Sequence, residues 1–356
     1  MSTMHYTKDS IKEQKLPTHP FVRPRGRIEV IEVQSKALKN NLLGDPTDRS
    51  VAVYLPEGYD QTTDDYPLMV DIVGFTGSGF GHVGWKAFQE NVPQQVDRLI
   101  ASGAMGPVIV AFPDCFTSLG GNQYINSAAM GNWEDFLCDE MVPLLESQFK
   151  IRQGRDHRAI FGKSSGGYGS LVHGLRRADT WAAIACHSGD LDFELCYRGD
   201  FPGVLRALSS YGYNIRAYIE KIHRAKKVQG SEFHNLMMLA MAASYDPDAD
   251  LPYGVRLPVT TDTCEMIEER WINWLAWDPV RMVDNTEAQE NLKSLKGLFI
   301  DCGSKDQYNL VYGSRQLNRK LQLLGIEHRY EEFSDNHSTV DYRMDISLPY
   351  LYEAIQ

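Results

Sequence analysis

Residues 158–175 carry the feature that most limits the fold. A short apolar run, Arg158-Ala159-Ile160-Phe161, leads into Gly162-Lys163-Ser164-Ser165-Gly166, and Ser170-Leu171-Val172-His173-Gly174-Leu175 follows. The run reads as a buried strand, and the stretch from Ser170 as the start of a helix. Gly162-x-Ser164-x-Gly166 is the G-x-S-x-G spacing of a nucleophile elbow. Such an elbow is a sharp strand-to-helix turn that lifts a serine hydroxyl clear of the backbone, with glycines where side chains would not fit. The helix start also offers free backbone N–H groups beside a developing oxyanion. Glycine-rich turns with serine are common loop material as well, so the rest of the chain has to supply partners.

The flanking segments alternate in the way an α/β sheet requires. Arg27–Val33 alternates apolar and charged residues, and Arg49–Pro56 is similar; both read as half-buried antiparallel strands. Tyr66–Phe75 and Pro107–Pro113 are the apolar runs of strands buried on both faces, Trp181–Cys186 reads as the next strand, and Leu295–Asp301 and His328–Phe333 as the last two. Helical pattern lies between them, around Val92–Ser102 and Trp133–Phe149. A mostly parallel sheet with helices on both faces follows. The chain divides into an N-terminal arm (1–26), a core (27–190 and 285–356) and a mainly helical insertion (191–284) expected to act as a cap. Within the insertion, Ile215–Val228, Phe233–Ala243 and Cys264–Trp277 have helical spacing, and Trp271, Trp274 and Trp277 form a stripe. The stripe reads first as packing onto the sheet and second as a wall facing substrate.

Bulk properties exclude several function classes. With 356 residues, a net charge of −11 and no block of lysine or arginine, the chain is a poor partner for nucleic acid or anionic membranes. The six cysteines are scattered without a C-x-x-C pair, so zinc-ligand spacing is absent. No metal or other cofactor is expected. The polar N-terminus lacks an apolar leader core, and no apolar run approaches a membrane span. A cytoplasmic location is the simplest expectation, and a homo-oligomer is possible.

If Ser164 is a nucleophile, its partners should follow in the order acid, then histidine. Asp306, after a glycine turn behind a late strand, is the candidate acid; Asp190, after the strand ending at Cys186, is its rival. His337, in the polar loop after Phe333, is the candidate base. The expected oxyanion donors are the N–H groups of Ser165 and of Phe75, in a glycine-rich loop that includes Gly74. No G-K-[ST] follows that loop, which makes a phosphate loop improbable. Gly74, Trp85, Tyr124 and His187 are candidates for binding substrate, and His173, on the elbow helix, for a structural role. Asn122, Gln123 and Asn126 read as part of a solvated loop or as polar contacts to substrate. Lys163 either meets an anionic substrate group or points to solvent.

Assembled in this way, the chain resembles the esterase D-type family of α/β-hydrolases, which includes S-formylglutathione hydrolases, enterochelin esterases, feruloyl esterases and mycolyltransferases. The likeness rests on Val51–Asp60 with Tyr66-Pro67-Leu68, on Trp133–Leu137 with Glu140 and Pro143, on the elbow Gly162–Gly169, and on Gly303-x-x-Asp306 with His337. Val73-Gly74 and Asn336-His337 depart from the His-Gly and Gly-His pairs that many relatives carry. The resemblance implies an α/β-hydrolase fold and a small-molecule ester substrate, hydrolysed through an acyl-serine with a Ser-His-Asp triad. An acyltransferase using the same acyl-enzyme, or an inactive binding protein on this fold, are the alternatives.

Overall fold

The computed structural model describes residues 25–356; residues 1–24, most of the expected arm and the segment read for a leader, lie outside the described residues. One eight-stranded sheet runs through the molecule. Its strands are β1 (Arg27–Gln34), β2 (Asp48–Leu55), β3 (Leu68–Ile72), β4 (Ile109–Pro113), β5 (Arg158–Lys163), β6 (Ala183–His187), β7 (Gly297–Gly303) and β8 (Arg329–Phe333). They lie in the order β1-β2-β4-β3-β5-β6-β7-β8. β1 pairs antiparallel with β2, and β2 with β4; the remaining pairs are parallel. This is the α/β-hydrolase arrangement.

Period-2 alternation assigns the side chains of the central strands to two cores. On β5, Ala159 and Phe161 face one core, and Ile160 faces the other. The first core lies beneath α1 (Val92–Ala101) and the C-terminal helix, Met344–Ile355, and includes Val96, Leu99, Phe299, Leu348 and Leu351. Helix α1 begins where the sequence provides a complete capping box, Asn91 with Gln94, and a proline in its first turn. On the other face lie α2 (Val142–Gln148), entered through a π-helical turn at Phe136–Met141, and α3 (Ser165–Arg176). Among the described residues no helix is long and apolar enough to cross a membrane.

The insertion between β6 and β7 adds no strand to the sheet. It contributes α4 (Phe201–Ser209), α5 (Ile215–Arg224), α6 (Gly230–Tyr245) and α7 (Glu268–Leu275). Its apolar residues belong to the same core as the sheet's second face. Trp271 and Trp274 are buried, in edge contact with Phe201 at ring separations of 5.9 and 5.6 Å. Trp271 and Trp274 of the stripe therefore pack in the core, and Trp277 is partly buried against it.

Two strand ends matter most. The chain runs from β3 out to β4 and then crosses back to β5 on the other side of β3. The loops after β3 and β5 diverge there, at the point where open α/β sheets bind ligands. The elbow helix starts at Ser165, five residues before the position its apolar pattern suggests. Its first turn is glycine-rich because there is no room for side chains. A Cβ on Gly162 would stand 2.1 Å from the carbonyl oxygen of Ile72, and one on Gly166 would stand 2.0 Å from that same atom. Gly166→Ala should therefore lower stability in urea unfolding by about 1–3 kcal/mol or more. Gly203→Ala on α4, whose added methyl meets nothing nearer than 3.8 Å, should be neutral or stabilise by up to about 1 kcal/mol.

Candidate active site

Ser164 sits between β5 and α3 with φ 58° and ψ −125°, a conformation that costs a non-glycine residue on the order of 1–3 kcal/mol. The surroundings hold it there. Its N–H donates to the carbonyl of His187 at 2.9 Å, and its carbonyl accepts from the N–H of Tyr168 at 2.8 Å. The loop after β3 lies against it: a methyl on Gly74 would stand 3.2 Å from Ser164 Cβ and 3.8 Å from its Oγ. Gly74 thus borders the serine, and Phe75 is the next residue of that loop.

The parallel strands carry the other candidates to the same end of the sheet. Asp306 follows β7 and His337 follows β8. His337 Nδ1 and Asp306 Oδ2 are 2.7 Å apart, and both side chains are almost wholly buried. The other carboxylate oxygen accepts the N–H of Tyr308 at 2.9 Å. A carboxylate only accepts, so the neutral imidazole carries its proton on Nδ1 and leaves Nε2 as the basic nitrogen. The backbone N–H of His337 is held by Gln307 Oε1 at 3.0 Å.

Asp190 takes no part in that pair. Its carboxylate accepts from Tyr197 Oη at 2.8 Å, and Gln123 Nε2 and Ser165 Oγ each approach it at 3.4 Å. Gln123 Nε2 also donates to Ser165 Oγ at 3.0 Å. Burial raises the pKa of this carboxyl above the ordinary carboxylate range. The network ties Ser165, an expected oxyanion donor, to the insertion through Tyr197.

Two expected substrate contacts are corrected by their burial. His187 is only 2% exposed. Its Nδ1 meets Asp301 at 2.7 Å, and its Nε2 meets Ser347 Oγ at 2.8 Å. It is a core residue on the side of the C-terminal helix. Tyr124 is also buried, and its phenol donates to the carbonyl of Val73 at 2.5 Å. It props the loop that precedes Phe75. The whole stretch from Asn122 to Tyr124 is buried rather than solvated, because it packs beneath that loop; a Cβ on Gly121 would fall 2.3 Å from the carbonyl oxygen of Phe75. Trp85 is 73% exposed.

Sequence reasoning missed three residues next to the site. Tyr308 presents its ring edge-on to His337, with centroids 4.9 Å apart. His234, on α6, lies parallel to Tyr308 at 6.3 Å and meets Asp200 at 2.9 Å. Its neighbour Phe233 packs on Phe75 at 5.9 Å. The first turn of α6 therefore touches both the β3 loop and the loop of Asp306. The position of Tyr308, two residues after the acid, was the one available signal. Among the described residues no group of three or more His, Cys, Asp or Glu side chains could hold a metal ion.

The family model described as "Putative esterase" matches residues 45–348. The chain belongs to this esterase family. Esterase Rv1288 of Mycobacterium tuberculosis is 34% identical over 89 residues, which cover 23% of this chain and 18% of that protein. An endo-1,4-beta-xylanase/feruloyl esterase of Xylanibacter ruminicola is 28% identical over 141 residues, 38% of this chain and 19% of that protein. The matches thus span less than a fifth of the length of these curated relatives. Among solved structures, a ferulic acid esterase aligns with a TM-score of 0.59 at 18% identity, over 93% of this chain and 100% of the other. An S-formylglutathione hydrolase from Agrobacterium tumefaciens aligns with a TM-score of 0.56 at 14% identity, over 94% and 98%. At such identities the likeness is one of fold.

In this esterase-family chain His173 is structural. Trp181 Nε1 donates to its Nδ1 at 3.0 Å, and its Nε2 stands 2.9 Å from the carbonyl of Tyr124. Burial lowers its pKa. The unfolded chain then binds the proton first, near pH 6.5. The stability this ring contributes is present above that pH and is lost as pH falls through its lower folded value. Between pH 7 and pH 5, His173→Gln should show a shallower loss of unfolding free energy than wild type.

Proposed function

We propose that the chain is a carboxylic-ester hydrolase that works through an acyl-Ser164 intermediate. One observation carries this reading: a half-buried serine strained into a strand-to-helix turn shares a sheet end with a buried histidine already oriented by a carboxylate. Membership of the esterase family supports the same chemistry.

The proton path follows from the tautomer. Ser164 Oγ attacks the ester carbonyl carbon while His337 Nε2 takes its proton. Asp306 holds the ring and offsets the charge of the imidazolium. Negative charge gathers on the former carbonyl oxygen and is met by the N–H groups of Ser165 and Phe75. Collapse breaks the bond to the alcohol, which leaves with the proton from His337. Water then repeats the sequence on the acyl-serine: His337 accepts a proton from it, and the acid departs as Ser164 recovers its own. The contacts of Phe233 with Phe75 and of His234 with Tyr308 support a cap role for the insertion over this cleft.

Ser164→Ala and His337→Ala should each lower kcat for a p-nitrophenyl ester by roughly 10⁴–10⁶. Asp306→Asn should cost ~10⁴ by favouring the wrong tautomer. Asp190→Asn should cost far less than Asp306→Asn. The reverse ranking of the two acids, measured on folded variants, would contradict the assignment of Asp306.

A further inference from the structure

β5 is buried through its middle, but its final residue, directly before Ser164, is a lysine. Lys163 is neither free in solvent nor neutralised in the fold. It is partly buried; its backbone pairs with His187 in the sheet, and its side chain is within hydrogen-bond or ion-pair distance of no described residue. The charges that act on it come from three sides of the site: Asp341 in the segment after His337, Lys86 in the segment after β3, and Asp306. Each of these is already engaged. Asp341 holds Lys86 Nζ at 2.7 Å. Asp306 holds His337 and the N–H of Tyr308.

A half-buried ammonium with no direct contact to a carboxylate is a costly arrangement, because desolvation penalises the charge and Asp341 and Asp306, acting from beyond contact distance and opposed by Lys86, offset it only in part. Burial accordingly lowers its pKa. On the surface the same lysine would cost nothing. Its position explains the expense if the partner arrives with the substrate. The four-carbon stem starts one residue from the nucleophile, so the group it meets lies a few bonds from the ester carbonyl.

Resting on the serine-esterase reading above, we propose that Lys163 determines specificity: its ammonium receives an anionic group, a carboxylate or phosphate, carried by the ester substrate. The anion supplies the direct contact that Asp341 and Asp306, both engaged elsewhere, do not make. The preference for such substrates falls with salt, since Lys163 is only partly buried.

The test compares matched esters. 4-Nitrophenyl hemisuccinate against 4-nitrophenyl butyrate places the anion in the acyl part; 4-carboxyphenyl acetate against phenyl acetate places it in the alcohol. In wild type one anionic ester should be preferred over its neutral partner, chiefly through KM. In Lys163→Met that ratio of kcat/KM values should fall by roughly 10–100-fold, the range of a charged hydrogen bond. Lys163→Arg should keep the preference, and Lys163→Glu should reverse it. A ratio that is the same in wild type and Lys163→Met overturns the proposal. So does an equal loss on both members of each pair, which would make the lysine a support for His337 and Asp306. Turnover of the neutral esters with no preference for an anion sinks this proposal alone; a folded wild type that hydrolyses none of the four esters sinks the esterase reading with it.

Discussion

The contact between the carbonyl of Ile72 and the backbone of the elbow sets the geometry of the site. β3, β5 and the first turn of α3 meet so closely that neither Gly162 nor Gly166 has room for a Cβ. That closeness brings the loop after β3 against Ser164, with Gly74 in contact with the serine side chain. It also enforces the positive φ of Ser164, since the chain must leave β5 and enter α3 without a connecting loop. Strain at one residue is sustained by packing over many, as expected where a backbone conformation serves function.

Around this contact the protein has built support of two kinds. One is apolar: a sheet whose central strands are buried on both faces, with the insertion sharing the second core. The other is polar and buried. Gln123, Asp190 and Tyr197 converge on Ser165, Tyr124 holds the carbonyl of Val73, and His173 holds the carbonyl of Tyr124. A buried polar group left alone costs free energy, so these groups pair with one another and fix the loops they belong to. The His337–Asp306 pair is secured separately, by Tyr308 and Gln307. Each candidate group thus stands on its own set of hydrogen bonds, in loops that follow the C-terminal ends of β3, β5, β7 and β8.

Much of this was legible in the sequence, for local reasons. The strands announce themselves because each is a short apolar or alternating run with turn residues at its ends, and the elbow because its glycines have fixed spacing around Ser164. Asp306 and His337 could be found because parallel strands deliver the loops that follow them to one edge. Where the reading failed, long-range packing decided. Helix α3 starts at Ser165 rather than Ser170 because tertiary contacts make helix of a glycine-rich stretch that has little propensity of its own. His187 and Tyr124 were read as substrate contacts, since a strand end and a polar loop usually face outwards. Burial under the C-terminal helix and beneath the β3 loop depends on residues more than fifty positions away. The contacts of Phe233 and His234 had no local signal, since nothing in the first turn of α6 shows which loops it will touch.

The account stands or falls on Ser164 as the nucleophile. The most direct measurement is peptide mapping by mass spectrometry after incubation with a fluorophosphonate probe, in parallel with ester turnover. The account predicts a single phosphonyl adduct on Ser164, formed at the rate at which esterase activity is lost and absent in Ser164→Ala and strongly slowed in His337→Ala. Ester hydrolysis that survives in Ser164→Ala, or an adduct on another residue that tracks the loss of activity, would contradict it.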